Sequence, residues 1–190
     1  MEPVNNNIQN EQIKKLWTII GIASAIVIVV GLLAALGIAM KRSANKSLVV
    51  GQDIKDFTVT SFEGETFQKS SLAGKVILVN FWSSWCASCD EEGDALELVW
   101  QEVKDSGEVL FLGVNYVDTE KDSMAFLERY GISYPNGPDM GSRISTLFKV
   151  TGVPETYIIG RDGRLAAMNI GPLTTAAEVH ALLDPVLAGQ

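Results

Sequence analysis

The chain has 190 residues, 47% hydrophobic and 20% charged, with a formal net charge of −8, two cysteines and one histidine. Two of its 23 acidic and five of its 15 basic residues precede Leu48, so the remaining stretch, about one domain long, carries about −11. That surplus argues against a nucleic-acid partner and against a domain held on an anionic membrane surface by its own charge.

Residues 1–15 form a polar, Asn/Gln-rich tail that is expected to be disordered. An uncharged run from Leu16 to Met40 follows, bracketed by Lys14-Lys15 and Lys41-Arg42. As a helix it would rise roughly 37 Å, enough to cross a hydrocarbon core of about 30 Å with some tilt. Its Ile/Val/Ala/Leu/Gly composition has no amphipathic stripe, and Trp17 falls where one interface would lie. Gly37-Ile38-Ala39 offers the small residues of a cleavage site. The run nevertheless outlasts the roughly 7–15 apolar residues of a signal-peptide core, so 16–40 is read as one uncleaved transmembrane helix. Lys/Arg counts on its two sides are similar and set no orientation. A polar linker, 41–47, leads to a domain over 48–190.

Asp56–Thr60 alternates like a strand, Glu63-Gly64 turns, and Thr66-Phe67 returns as the second arm of a hairpin. Ser70–Gly74 reads as a turn or helical cap. Val76–Trp82 is apolar on both faces, the mark of a central strand covered on two sides. From Cys86 to Lys104 the pattern is helical, with Leu96, Val99, Trp100 and Val103 at 3–4 spacing. Val109–Tyr116 is a second continuous apolar strand. Ser123–Tyr130 is a short helix stopped by Gly131, and Ile144–Phe148 is another. Thr156–Ile159 and Leu165–Ile170 flank an Asp162-Gly163 hairpin tip. Thr174–Leu187 closes the chain as a helix capped by Thr174 or Thr175. This order predicts an α/β domain with a mixed central sheet, helices on both faces and an N-terminal β-hairpin.

Both cysteines lie in Trp85-Cys86-Ala87-Ser88-Cys89, at the junction of a strand and a helix, the signature of a dithiol that closes into a disulfide and reopens. A thiolate is the attacking species in disulfide exchange. Cys86 sits where unpaired backbone N–H groups and the helix dipole favour an anion, so it is the expected nucleophile. Cys89, one turn further in, suits the resolving role. Asp90, Glu91, Glu92 and Asp94 crowd the same turns and disfavour a second anion, so a couple more reducing than that of strongly oxidising dithiol proteins is expected. Glu92 lies three residues after Cys89 on the same helical face. It is either an exposed acid or, if buried, a group that exchanges a proton with Cys89.

Val153-Pro154 either begins a strand or forms a cis peptide in a tight turn beside the dithiol. Zinc lacks ligands, since the one histidine, His180, is near the far end. Attachment of a c-type haem requires histidine where Asp90 stands. A purely structural disulfide closing so small a loop would constrain little of the unfolded chain. No metal or other cofactor is expected.

With Asn80-Phe81-Trp82-Ser83-Ser84-Trp85-Cys86-Ala87-Ser88-Cys89 and Gly152-Val153-Pro154-Glu155-Thr156, the chain resembles the thioredoxin superfamily. It looks most like the membrane-anchored thiol–disulfide proteins of the TlpA/ResA/DsbE (CcmG) group, from about Val50 to Leu187. Gly113-Val114-Asn115-Tyr116 and the Gly-Val-Pro block look like the cytochrome c maturation branch. The resemblance implies a thioredoxin-like fold, Cys86 as nucleophile, Cys89 as resolving thiol, Pro154 as a flanking cis-proline and Glu92 as the acid that follows the motif. It further implies a protein-disulfide reductase that keeps the haem-binding cysteines of apocytochrome c reduced, fed by a membrane thiol-electron donor. Ser88 replaces a frequent proline between the cysteines, and Asp94 stands where a proline often follows the acid.

The expectation is therefore a thiol–disulfide oxidoreductase tethered to the bacterial inner membrane, its domain on the extracytoplasmic side. The side is inferred from the dithiol chemistry. A general envelope protein-disulfide reductase is an alternative, as is a module that holds an apocytochrome or Cu(I) without turnover. A peroxidase is disfavoured, because tryptophans bracket the site and no peroxide-activating Arg or Thr stands near it.

Overall fold

The computed structural model describes residues 6–44 and 48–189. The chain divides into two units, Met1–Lys46 and Ser47–Gln190.

In the first unit a single helix, α1, runs Asn6–Ala44. Over Lys14–Gly37 it is long and apolar enough to cross a membrane, and its side chains there are exposed on every side. Thr18 and Ser24 turn their hydroxyls onto the Lys14 and Gly21 carbonyls, both at 2.9 Å, as an apolar surrounding requires of polar groups. The helix outruns the apolar stretch at both ends. It takes in 6–15 of the expected disordered tail and 41–44 of the expected linker. Gln9, Glu11, Gln12, Lys14 and Lys15 are good helix formers that extend a helix already nucleated. The first five residues of the tail and the last three of the linker lie outside the described residues.

In the second unit, β1 (Thr58–Thr60) and β2 (Thr66–Gln68) form the expected hairpin, with Val59 opposite Phe67. The main sheet contains β3 (Val76–Trp82), β4 (Val109–Asn115), β5 (Asn136–Pro138), β6 (Glu155–Ile159) and β7 (Leu165–Ile170), in the order β5-β4-β3-β6-β7. β3, β4 and β5 are parallel, and β6 and β7 complete the sheet antiparallel. β3 is buried along its whole length because it is the middle strand with both faces covered. Its period of two splits the core. Ile77, Val79 and Phe81 pack with Phe57, Val59, Phe148 and Tyr157. Val76 and Leu78 pack on the other side with Leu96, Val99, Val179 and Leu183. The hairpin and α5 (Arg143–Phe148) close the first face, and α3 (Gly93–Val103) and α6 (Ala176–Leu187) the second.

Three elements differ from expectation. The single helix over Cys86–Lys104 is two, α2 (Ala87–Asp90) and α3, and the break carries Glu92 into the interior. The helix placed at Ser123–Tyr130 starts earlier, as α4 (Glu120–Arg129), because the Thr119 hydroxyl caps it by accepting the Asp122 N–H at 3.2 Å. β5 was not expected, since Asn-Gly-Pro carries no apolar pattern. It is added by parallel pairing with β4 from Gly113 to Asn115. Thr175 is the cap of α6, in a reciprocal box with Glu178.

Candidate active site

Above the C-terminal end of β3, four residues, Ser83 to Cys86, link the sheet to α2. Ser83 donates to the Tyr116 carbonyl, and the Tyr116 N–H donates to the Trp82 carbonyl at 2.8 Å, tying this link to the loop after β4. Trp82 is 2% exposed, stacks on Phe126 with centroids 4.6 Å apart, and donates its indole N–H to Asn136 Oδ1 at 2.7 Å. Gly113 makes room for this bond, since a Cβ there would fall 1.6 Å from Asn136 Oδ1. A third cluster, Trp82, Phe126 and Leu127, thus forms the floor beneath Cys86 and Cys89.

Cys86 is the N-cap of α2 and is disulfide-bonded to Cys89, with Cα atoms 5.3 Å apart. Its sulfur accepts the Cys89 N–H at 3.2 Å. A sulfur so placed receives a helix-initiating donor and is favoured as a thiolate when reduced. Cys86 is 7% exposed and Cys89 1%, so the first is the more accessible of the pair.

The Val153–Pro154 bond is cis and Pro154 is buried, so the second of the two readings of this dipeptide holds. The Val153 carbonyl oxygen lies 3.4 Å from Cys86 Sγ, which brings the proline turn against the Cys86 sulfur. Glu155, 1% exposed, holds that turn from beneath. Its Oε1 accepts the Thr151 N–H at 2.9 Å, the Thr151 hydroxyl at 2.8 Å and the Gly152 N–H at 3.2 Å, and its Oε2 accepts the Tyr157 hydroxyl. Burial, together with this carboxylate, pushes the Tyr157 phenol well up.

Glu92 is 1% exposed, separated from the acidic collar in which the sequence placed it. Asp90 is half-buried, and Glu91 and Asp94 are exposed. Glu92 Oε1 accepts the Asn80 amide at 2.9 Å and Oε2 the Leu173 N–H at 3.3 Å, while its own N–H donates to the Cys89 carbonyl at 3.4 Å. Burial pushes its pKa up to about 7 against these hydrogen bonds, so it titrates near neutrality. Asn80 and Glu155 were not singled out from sequence. A lone Asn inside an apolar strand was the available signal for the first. Among the described residues no group of three or more His, Cys, Asp or Glu is arranged to hold a metal ion.

A sequence profile of the AhpC/TSA family matches residues 50–168. The chain is similar to the thiol-disulfide oxidoreductase ResA of Bacillus anthracis, 27% identical over 129 residues that cover 68% of this chain and 74% of that protein. It is 38% identical to the thiol:disulfide interchange protein HelX of Rhodobacter capsulatus over 117 residues, 61% of this chain and 63% of HelX. A crystal structure of a secreted Mycobacterium tuberculosis disulfide oxidoreductase, homologous to E. coli DsbE, superposes with a TM-score of 0.58. That match has 25% identity and covers 66% of this chain and 96% of the other.

Proposed function

The chain belongs to the AhpC/TSA family and is a thiol–disulfide oxidoreductase of thioredoxin-like fold, and we propose that it is a membrane-tethered reductase of apocytochrome c disulfides. The observation that carries its chemistry is one geometry: a disulfide whose outer sulfur is a helix N-cap and lies 3.4 Å from the carbonyl before a cis-proline. The apocytochrome reading rests on the Gly113–Tyr116 and Gly152–Thr156 blocks. In it, α1 anchors the chain by its 24-residue apolar stretch, and the domain works on the extracytoplasmic side.

In the reaction, the reduced Cys86 thiolate attacks one sulfur of the substrate disulfide. A Cys86–substrate bond forms, the substrate S–S bond breaks, and one substrate sulfur leaves as thiolate. Cys89 then gives up its proton and attacks Cys86 Sγ. The Cys86–Cys89 bond forms and the second substrate thiolate leaves, so two electrons pass to the substrate. Glu92, poised near pH 7 by burial, is the acceptor of the Cys89 proton. Pro154 shapes the wall against which the mixed disulfide lies. A membrane thiol donor returns two electrons and restores the dithiol.

Cys89→Ser tests this reading, because it stops the reaction at the mixed disulfide. The expected result is a covalent partner, released by dithiothreitol, that carries paired haem-attachment cysteines. Cys86→Ser should abolish exchange. No trapped partner from a strain whose wild-type protein is active would overturn the mechanism. A partner without haem-attachment cysteines would overturn the substrate.

A further inference from the structure

Asp118, half-buried in the loop after β4, gathers four donors from two segments. Its Oδ2 accepts the Ser84 N–H at 2.7 Å and the Asn115 amide at 3.0 Å. Its Oδ1 accepts the Ser84 hydroxyl at 2.9 Å and the Thr119 N–H at 2.8 Å. These bonds hold its carboxyl below the usual carboxylate range, although burial pushes the other way. Ser84 is two residues before Cys86, so one carboxylate bolts the approach to the nucleophile onto the neighbouring strand's loop.

The bolt has a second effect. Val117 stands at φ 47°, a left-handed conformation that β-branched residues rarely adopt. It is held there between Asp118 and the Trp85 indole, which donates to the Val117 carbonyl at 2.9 Å. Trp85 and Val117 are 61% and 63% exposed, an apolar pair beside a sulfur that is itself nearly covered. Neither side chain has a core to fill, and the backbone at 117 is kept in a conformation it would leave if released.

We propose that Asp118 is a positioning residue that locks the Ser84–Trp85 segment to the β4 loop, so that Trp85 and Val117 form a fixed apolar lip for the protein chain flanking a substrate disulfide. This rests on the reading of Cys86 as the attacking thiol. It goes beyond that reading in assigning substrate binding to a carboxylate that does not touch the reacting atoms. With the lip fixed beforehand, the substrate does not bear the cost of ordering it on binding. A small disulfide reagent meets only the sulfur and gains nothing from the lip.

The test uses full-length protein in detergent micelles, with insulin as protein disulfide, dithiothreitol as reductant and dithiobis(nitrobenzoate) as small disulfide. Asp118→Ala is expected to raise KM for insulin at least about fivefold, with kcat and the small-disulfide rate within about twofold of wild type. Asp118→Asn keeps an acceptor for the Ser84 and Asn115 N–H groups without the charge, and should fall closer to wild type than Asp118→Ala. An unchanged KM, a loss confined to kcat, or an Asn variant as impaired as the Ala variant overturns the inference. If Asp118→Ala does not fold, Asp118→Asn and Ser84→Ala decide: each raises KM about two- to fivefold at constant kcat, or the inference fails. A wild-type protein that does not reduce insulin, or a Cys86→Ser variant that does, overturns the underlying reading instead.

Discussion

The side-chain amide of Asn80 donates to the carboxylate of Glu92 at 2.9 Å, joining the middle of the central strand to the break between the two helices that follow the dithiol. Asn80 also donates to Thr156 Oγ1 on β6 at 3.1 Å, so its two N–H groups are both used. A single asparagine thus fixes the height of a buried acid one turn beyond Cys89.

That acid makes stability depend on pH. Burial raises Glu92 from 4.5 to about 7. Between those values the folded protein keeps a proton that the unfolded chain has released. The contribution of the neutral acid is therefore full below pH 4.5 and declines as pH rises to about 7, by on the order of 3 kcal/mol. Urea unfolding at pH 5 and pH 8 should show this loss in wild type and a smaller one in Glu92→Gln. The same variant should accumulate the Cys86 mixed disulfide, because it removes the proposed acceptor of the Cys89 proton. Equal pH slopes in the two proteins would show that Glu92 does not titrate in this range.

His180 on α6 bridges Glu102 of α3 at 2.9 Å and Asp184 at 3.1 Å. The hydrogen bond to Asp184 raises the imidazole above 6.5, against slight burial, and Glu102 adds to it. The clamp is fully present below pH 6.5 and lost as pH rises through the raised value. Because both acids are largely exposed and His180 itself is only half-buried, the clamp is worth below about 1 kcal/mol. His180→Ala should lower stability at pH 5.5, less so in 0.5 M salt, and leave it unchanged at pH 9.

Gly137 on β5 has no room for a side chain. A Cβ there would stand 2.1 Å from the Thr60 carbonyl oxygen, a main-chain atom of the hairpin that cannot swing aside. Gly137→Ala should cost about 3 kcal/mol and loosen the hairpin from the sheet. Hydrogen exchange of the Phe62 N–H, which donates to the Asn136 carbonyl at 2.8 Å, should accelerate. Unaltered protection there would show that the two layers are not joined at this point.

The capping box of α6 gives a smaller effect with a clear control. Thr175→Ala removes the acceptor for the Glu178 N–H and should cost about 1 kcal/mol by denaturant midpoint. Thr175→Ser should restore most of it. Similar stabilities for all three proteins would mean that the first turn of α6 is held by its packing alone.

The strands were legible where burial on both faces forces a continuous apolar run, as in Val76–Trp82 and Val109–Asn115. The β6–β7 hairpin was legible from Asp162-Gly163, where Gly163 takes φ 80°. The dithiol was legible because two cysteines at that spacing have few other uses. β5 was not, because its place is set by pairing with β4 and by the bare Cα of Gly137, and neither leaves an apolar signal. The break between α2 and α3 was hidden by a helical periodicity that continues across it. Glu92 looked like its exposed neighbours Glu91 and Asp94, since charge alone does not tell which of several adjacent acids turns inward. Asp118 was hidden for a related reason: two of its four donors come from Ser84, and only the folded sheet brings that segment to the loop after β4.

Cys86 leaves 7% of its surface open, with the Val153 carbonyl at 3.4 Å on one side. Disulfide exchange runs in line, so the incoming sulfur, the sulfur under attack and the departing sulfur must lie nearly straight. Such an alignment cannot be reached through a narrow opening by a cystine locked within a rigid globule. It can be reached by one carried on a pliable length of chain. In the proposed reaction the protein therefore favours a client whose cystine is carried on a pliable or exposed segment over one whose cystine is locked in a folded core.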